Sequence, residues 1–387
     1  MKILIASDLH FPVINGVATF SRNLARGLAA RGHEVLVIAP SQTGRKYKEI
    51  DVNHVVTRTV AVPFPFYQNV RVSLTPTREV KKIINEFEPD VIHIQMLMWI
   101  GQAAMKVGNK NGIPIVSTNH AMPENLMDNL KLLAPLARPI NYMLTEYGRR
   151  FHSKSDFVTL PTQSAINMFK ASKKMKVPLK AISNGIDLNE FNVGEASAKV
   201  YKKFGIPTDL PIITFVGRLD AEKHIPVLIK AFKKVLESMP AHLLIVGDGG
   251  ESNNLKLLVS DLDLRSNVTF TGRVSEEDKK DLHRMGTVFA MPSPMELQSI
   301  ATLEAMASGM PVVAVDAGAL VELCHSNKNG YLCELDNDDE IAEALVKIIR
   351  NPKLREKFSK KSLEIANKND LQHTLDQFIE IYTNLIK

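Results

Sequence analysis

Cysteine, tryptophan and long apolar runs are all scarce in this chain. Its 387 residues include two cysteines and one tryptophan, and aromatic residues make up 6%. Cys324 and Cys333 fit no zinc-ligand spacing and are too few for a disulfide scaffold. They read as reduced thiols of a cytosolic protein, with a bridge between them as the alternative. No apolar stretch approaches the ~18–20 residues that a membrane-spanning helix needs. The start, Met1-Lys-Ile-Leu-Ile-Ala-Ser-Asp-Leu-His10, turns acidic too soon for a secretory signal and reads as a first buried strand. No repeat of fixed period and no low-complexity tract stands out. Basic residues do not interleave with stacking aromatics, so a basic nucleic-acid binder has only net charge in its favour, and nucleic acid is not an expected partner.

What is present suits a globular chain. Apolar residues at 45% can fill two cores of ordinary size, and 23% charged residues is usual for a soluble protein. The net charge of +6 is unevenly spread: residues 1–200 hold 25 Lys and Arg against 15 Asp and Glu, and the remainder 23 against 27. A basic front half faces either an anionic partner or plain solvent.

Short β-branched runs alternate with longer segments of helical spacing. In the first half Ile3–Ala6, Val35–Ala39, Val91–Ile94, Ile113–Val116 and Phe157–Leu160 read as strands, with Thr19–Arg31 and Arg78–Phe87 as helices between them. In the second half Ile212–Val216, His242–Val246, Val268–Phe270, Val288–Met291 and Val312–Val315 repeat the theme. Continuous apolar strands separated by helices imply parallel sheets covered on both faces, here an α/β chain of two doubly wound, Rossmann-like domains. The boundary is expected in the polar stretch Asn192–Lys203, giving domains 1–195 and 196–368 and a last amphipathic segment, 369–387.

The most informative segment is Pro292-Ser-Pro-Met-Glu-Leu-Gln-Ser-Ile-Ala-Thr-Leu-Glu304-Ala-Met-Ala-Ser-Gly-Met-Pro-Val-Val313. Its prolines keep Glu296 in a loop, Ser299 is a candidate N-cap, Ile300–Ser308 reads as helix, and Gly309 with Pro311 ends it. The free N–H groups of that helix start lie just beyond Glu296 and form an anion site suited to a diphosphate. Glu296 and Glu304 flank it as hydroxyl acceptors. The plain alternative is a capped surface helix with two solvated acids.

Phe215-Val-Gly-Arg-Leu-Asp-Ala-Glu-Lys223 ends a strand at Gly217 and supplies two cations, Arg218 and Lys223, where a phosphate arrives in open α/β sheets. Pairing with Asp220 and Glu222 is the structural alternative. Ile245-Val-Gly-Asp-Gly-Gly250 ends another strand in a glycine turn at Gly247, and Asn267-Val-Thr-Phe-Thr-Gly-Arg-Val274 ends a third. In the first half, Gly16 of Asn15-Gly-Val17 lets backbone approach a ligand ahead of a helix starting near Thr19. His120, in Ser117-Thr-Asn-His-Ala-Met-Pro-Glu124, follows a strand and is either structural or ligand-facing. Asp261-Leu-Asp263 and Asp336-Asn-Asp338 have a D-x-D form but fall in polar, helix-rich stretches and read as solvated.

The Glu296–Glu304 pair, with seven residues between its members, resembles the E-x7-E signature of retaining glycosyltransferases with the GT-B fold, family 4. Gly217 to Lys223 resembles the same family's G-R-x-x-x-E-K motif, except that His224 stands where many members have glycine. The resemblance spans essentially the whole chain. It implies a GT-B architecture in which two domains face a cleft and the last helix returns to the first domain. Glu296 would contact the donor sugar and Glu304 the nucleotide ribose. Arg218, Lys223 and the amides of Leu297, Gln298, Ser299 and Ile300 would serve the phosphates, and Val274's segment the base. Gly16 and Gly247 would line the nucleotide-sugar site, and His120 would orient the sugar. No cofactor and no metal are implied, since the two cations and the helix start do the charge work.

The Glu296-Leu-Gln-Ser299 pattern, with Phe11-Pro-Val-Ile-Asn-Gly-Val-Ala18 and Thr118-Asn-His120, resembles the branch that glycosylates membrane lipids such as diacylglycerol. Leu126, Leu130, Leu133, Ile140, Met143, Leu144, Tyr147 and Phe151 recur at near-helical spacing. Lys131, Arg138, Arg149, Arg150 and Lys154 interleave with them. Lys170, Lys173, Lys174, Lys176 and Lys180 form a second basic cluster, and Phe64-Pro-Phe-Tyr67 an aromatic loop. This pattern fits an interfacial helix on an anionic membrane, or else a core-facing helix broken by Pro135 and Pro139. The expected protein is therefore cytoplasmic and peripheral on the inner membrane face, with a nucleotide sugar and a lipid as partners. A soluble-acceptor enzyme of the same family is the alternative.

Overall fold

The computed structural model describes residues 1–13, 15–64, 70–120, 137–170 and 175–387, and the side chains of Ala137, Arg138 and Lys170 fall outside that description. Leu126, Leu130, Lys131, Leu133, Pro135, Tyr67, Lys173 and Lys174 therefore also lie outside the described residues. The chain divides into two compact units, Met1–Gly185 with Leu371–Lys387, and Ile186–Asp370. The crossover falls at Gly185 rather than in Asn192–Lys203, because that stretch folds with the second unit and contributes the helix Ala198–Phe204 to it.

In the first unit the strands are β1 (Lys2–Ala6), β2 (Glu34–Pro40), β3 (Tyr47–Asp51) and β4 (His54–Thr59), a small separate pair β5 (Ala61–Pro63) and β6 (Arg71–Ser73), then β7 (Val91–Ile94), β8 (Ile115–Thr118), β9 (Phe157–Leu160) and β10 (Leu179–Ala181). The main sheet runs β10-β9-β8-β7-β1-β2-β4-β3, parallel except for β3 against β4 at its edge. Alternation along β1 feeds two cores. Ile3 and Ile5 pack with Phe20, Leu24, Phe378 and Tyr382, whereas Leu4 and Ala6 pack with Val80, Ile84 and Ile100.

The first of these cores is closed by the helix Leu371–Ile386, which the chain reaches only after building the second unit. Leu375 lies where any Cβ on Gly27 would stand, 2.4 Å from its Cδ1. Tyr382 Oη lies 2.6 Å from His93 Nδ1, and Arg31 pairs with Asp376 at 2.6 Å. Each fully buried side chain such as Leu375 or Phe378 contributes about 1.5–3 kcal/mol, so this helix is integral to the unit. The helix Gly16–Ala30 begins three residues ahead of Thr19 because the Asn15 side chain accepts from the Ala18 N–H at 2.8 Å. Pro139 does not break the helix Ala137–His152, since it sits in the first turn, where no N–H is needed.

The second unit contains β11 (Ile212–Val216), β12 (His242–Val246), β13 (Val268–Gly272), β14 (Val288–Met291), β15 (Val312–Val315) and β16 (Gly330–Cys333). All are parallel in the order β13-β12-β11-β14-β15-β16. The order reverses between β11 and β14, the crevice where open α/β sheets bind ligands. Both halves are thus doubly wound, as expected. Cys324 and Cys333 are buried free thiols, and burial pushes both above the ordinary thiol range.

Four histidines of the first unit are held as neutral rings. Burial pushes His10, His93, His120 and His152 down to about 3. Their folded values lie below the unfolded one, so their stability contribution is complete above pH ~6.5 and is lost as pH falls toward 3. Asp8, which accepts from the Ile100 N–H at 2.9 Å, is raised by burial to about 7 and has the opposite sign, offsetting one of the four. Each net histidine is worth up to about 1.4 kcal/mol per pH unit. Urea unfolding of the chain should therefore shift to lower midpoints between pH 6.5 and 5. An unchanged midpoint over that range would show that these rings are not buried neutral.

Candidate functional site

In the second unit the candidate residues gather at the carboxyl ends of the strands. The loops after β11 and β12 are zipped together by backbone. Gly217 N–H donates to Val246 O at 3.0 Å, Leu219 N–H to Asp248 O at 3.1 Å and Glu251 N–H to Leu219 O at 2.8 Å. Gly247 has φ 133°, and a Cβ there would lie 1.9 Å from Gly217 O, so a glycine at 247 is required for the two strand ends to approach. Arg218 donates to Asp220 and to the buried Glu222, the ion pairing foreseen as the structural alternative. Lys223 instead reaches across to Glu296, Nζ to Oε1 at 2.7 Å, and stands 3.6 Å from Glu222. Burial pulls the Lys223 ammonium down, but Glu296 and Glu222 outweigh it and raise its pKa above the ordinary lysine value.

Glu296 is held by its backbone. Its carbonyl accepts from the Ala319 N–H at 2.9 Å, and Gly318, at φ 55°, passes so close that a Cβ would meet Pro294 O at 2.8 Å and Glu296 O at 2.9 Å. The next helix, Ile300–Ala307, has Ser299 as N-cap residue, and Gly309 beyond its end takes φ 83°. Ser299 makes no side-chain cap, its Oγ accepting instead from Thr302 Oγ1 at 2.8 Å, so the helix start is not closed by its own cap. Leu297, Gln298 and Ile300 complete that start, Gln298 lying 3.5 Å from Asn369 Oδ1. Val274 follows β13 and packs partly on the core.

Glu304 is buried, with Lys279 Nζ 2.8 Å from Oε1 and His283 Nε2 3.2 Å from Oε2. Burial pushes its carboxyl up, but Lys279 and His283 outweigh this and bring it down to about 2. Neither partner was singled out from the sequence, because a contact across 25 residues has no local signal.

In the first unit, Gly16 opens the helix after β1, and His120 follows β8. The His120 Nε2 lies 2.9 Å from Oε1 of Gln95, a buried residue after β7 that sequence reasoning also missed, and its ring rests 5.0 Å from that of Phe20. On the helix Ala137–His152, Tyr142, Met143 and Tyr147 are exposed, whereas Phe151 is buried.

Among the described residues, His10, Asp51 and His54 place possible metal ligands within 4.8 Å of one another. Asp51 already accepts from Arg22 at 2.7 Å and Arg26 at 2.6 Å, and Arg58 adds a third positive charge beside His10, so the local field opposes a cation. In the second D-x-D segment Asp336 pairs with His224 at 2.8 Å and Asp338 with Lys234 at 2.9 Å.

Residues 14–190 match the family described as Glycosyltransferase Family 4, and residues 197–364 that described as Glycosyl transferases group 1. The chain is a family 4 glycosyltransferase. It is 28% identical over 380 residues to an alpha-monoglucosyldiacylglycerol synthase of Streptococcus pneumoniae, covering 95% of this chain and 83% of that one. It is also 28% identical over 340 residues to a GDP-mannose-dependent alpha-mannosyltransferase of Mycolicibacterium smegmatis, covering 87% and 85%. The sucrose-phosphate synthase of Thermosynechococcus elongatus superposes with a TM-score of 0.81 at 20% identity, covering 99% of this chain and 98% of that one. The fold is GT-B.

His224, the departure from the G-R-x-x-x-E-K pattern, takes φ 49° and ψ 29°, the left-handed region that glycine enters freely. His224→Val in this glycosyltransferase should lower the free energy of unfolding by about 1–2 kcal/mol, whereas His224→Gly should leave it within about 1 kcal/mol. Urea unfolding of both variants checks this, and a valine variant as stable as wild type would contradict it.

Proposed function

We propose that this enzyme is a retaining hexosyltransferase that moves a hexose from a nucleoside-diphosphate sugar to a hydroxyl of a membrane lipid such as diacylglycerol. The observation that carries the donor half is the Lys223–Glu296 pair, 2.7 Å apart, beside the uncapped start of the helix Ile300–Ala307 and at the crevice between β11 and β14. A lysine kept charged by its neighbours, Arg218 and a set of helix-start amides supply the positive field that a departing diphosphate needs. In this reading Glu296 accepts from sugar hydroxyls and Glu304 from the ribose. Gly16 and Gly247 let backbone approach the donor, and Val274's segment faces the base. No metal is required, because protein groups already neutralise the leaving group. Attack comes from the face the diphosphate leaves, with its oxygen helping to take the acceptor's proton. His120, its Nε2 directed at Gln95, orients the sugar.

The lipid acceptor is supported by the pneumococcal relative, whose name states a diacylglycerol product. It is also supported by the exposed face of the helix Ala137–His152, where Tyr142, Met143 and Tyr147 stand near the exposed Arg150. No helix among the described residues is long and apolar enough to cross a membrane. In this reading the exposed helix face lies against the membrane and the enzyme sits peripherally on its cytoplasmic side. The mannosyltransferase relative names GDP-mannose as its donor, so glucose and mannose donors are both to be screened.

Incubation with UDP-glucose or GDP-mannose, with and without anionic vesicles containing diacylglycerol, should give nucleoside diphosphate release that rises with vesicles. Lys223→Ala and Glu296→Ala should each reduce it at least about 100-fold in chains that still fold and unfold cooperatively, at a somewhat lower temperature because each leaves a shielded charge without its partner. Variants as active as wild type would overturn the site. Release unaffected by vesicles, together with no vesicle co-sedimentation at low salt, would favour a soluble acceptor.

A further inference from the structure

Lys279 and His283 lie four residues apart on the helix Glu276–Arg284 and so share one face. From that face they hold opposite oxygens of Glu304, Lys279 at 2.8 Å on Oε1 and His283 at 3.2 Å on Oε2. The Lys279 ammonium also pairs with Glu276 at 3.0 Å and stands 5.1 Å from the centre of the Phe191 ring, whose other neighbour is the His283 ring at 5.7 Å. Glu304 and His283 are buried, and the Lys279 side chain is 16% exposed, so this contact is shielded from solvent.

A free carboxylate turns about its last torsion and presents its oxygens in many directions. Here each oxygen is tied to a donor on another helix, so the plane of the carboxylate is fixed. Each oxygen still keeps a second lone-pair direction, which leaves two fixed acceptors side by side, the spacing that adjacent hydroxyls of a ribose present. Without Lys279, Glu304 would lose the charge that offsets its burial and would drift toward the protonated acid, which donates one hydrogen and no longer accepts at both oxygens.

We propose that Lys279 is a positioning residue for the donor nucleotide: it fixes and keeps ionised the Glu304 carboxylate so that it reads the vicinal diol of the ribose. This rests on the reading of Glu304 as the ribose acceptor. Lys279 itself does not touch the nucleotide.

The test is calorimetric binding of UDP and of GDP, each compared with its 2′,3′-dideoxy form, to wild type, Lys279→Met and Lys279→Arg. Wild type should bind the better diphosphate about ten- to a hundredfold more tightly than its dideoxy form, as befits hydrogen bonds to a charged group. Lys279→Met should lose that preference while binding the dideoxy form as wild type does. Lys279→Arg, which keeps the charge and the donor, should restore most of it. In Lys279→Gln any remaining preference for the ribonucleotide over its dideoxy form should weaken as pH is lowered, over a range where wild type keeps it. Lys279→Met that keeps full ribose preference, or that weakens both forms equally, overturns the proposal and leaves the Glu304 reading standing. Wild type without any preference overturns both. If Lys279→Met does not fold, Lys279→Gln gives the same comparison with a smaller change in shape.

Discussion

Everything at the proposed donor site turns on bringing positive charge to one crevice without burying it unpaired. Lys223 is almost enclosed, and a buried ammonium without a partner would shed its proton. Glu296 at 2.7 Å and Glu222 at 3.6 Å prevent this, so the charge persists in a place that water reaches poorly. The rest of the second unit can be understood as what is required to hold those partners in place. β11 and β14 are neighbours at the reversal of strand order, and Gly247 and Gly318 permit the backbone approaches that set the loops. The uncapped helix at Ser299 adds donors without adding another ion to desolvate.

The pairing of Arg218 with Asp220 and Glu222, two and four residues along the same loop, is a local contact and carries no function alone. The Lys223–Glu296 contact is of another kind. It joins a loop after one strand to a loop after the next strand in space, across 73 residues of sequence. Two charged groups hold one another here, and under the proposed function a diphosphate sugar would take over both roles as it binds.

Much of this was legible in the residues. Pro292, Pro294, Gly309 and Pro311 mark the ends of the Glu296 loop and of its helix with strong local signals, and continuous runs such as Ile212–Val216 and His242–Val246 could only be buried strands. The hairpin of β3 and β4 was not, because its edge strand Tyr47-Lys-Glu-Ile-Asp51 exposes Lys48 and Ile50, half-buries the residues between them and carries no apolar run. The crossover at Gly185 was missed for a related reason. What sets it is backbone geometry, φ 75° with Leu371 Cα only 2.7 Å from where a Cβ would stand, rather than a composition change. Of the candidate site, the residues in linear motifs were named from the sequence, whereas Gln95, Lys279 and His283 were not. Each meets its partner only through the fold, Gln95 meeting His120 between two strand ends and Lys279 meeting Glu304 between two helices.

The central claim is that one diphosphate is held jointly by Lys223 and the start of the helix Ile300–Ala307. A crystal structure of the enzyme soaked with UDP or GDP tests it most directly. The account predicts a phosphate oxygen within hydrogen-bond distance of both the Lys223 ammonium and the backbone N–H groups at the helix start, with Lys223 drawn from Glu296. A nucleotide bound elsewhere, with the Lys223–Glu296 contact intact, would contradict it.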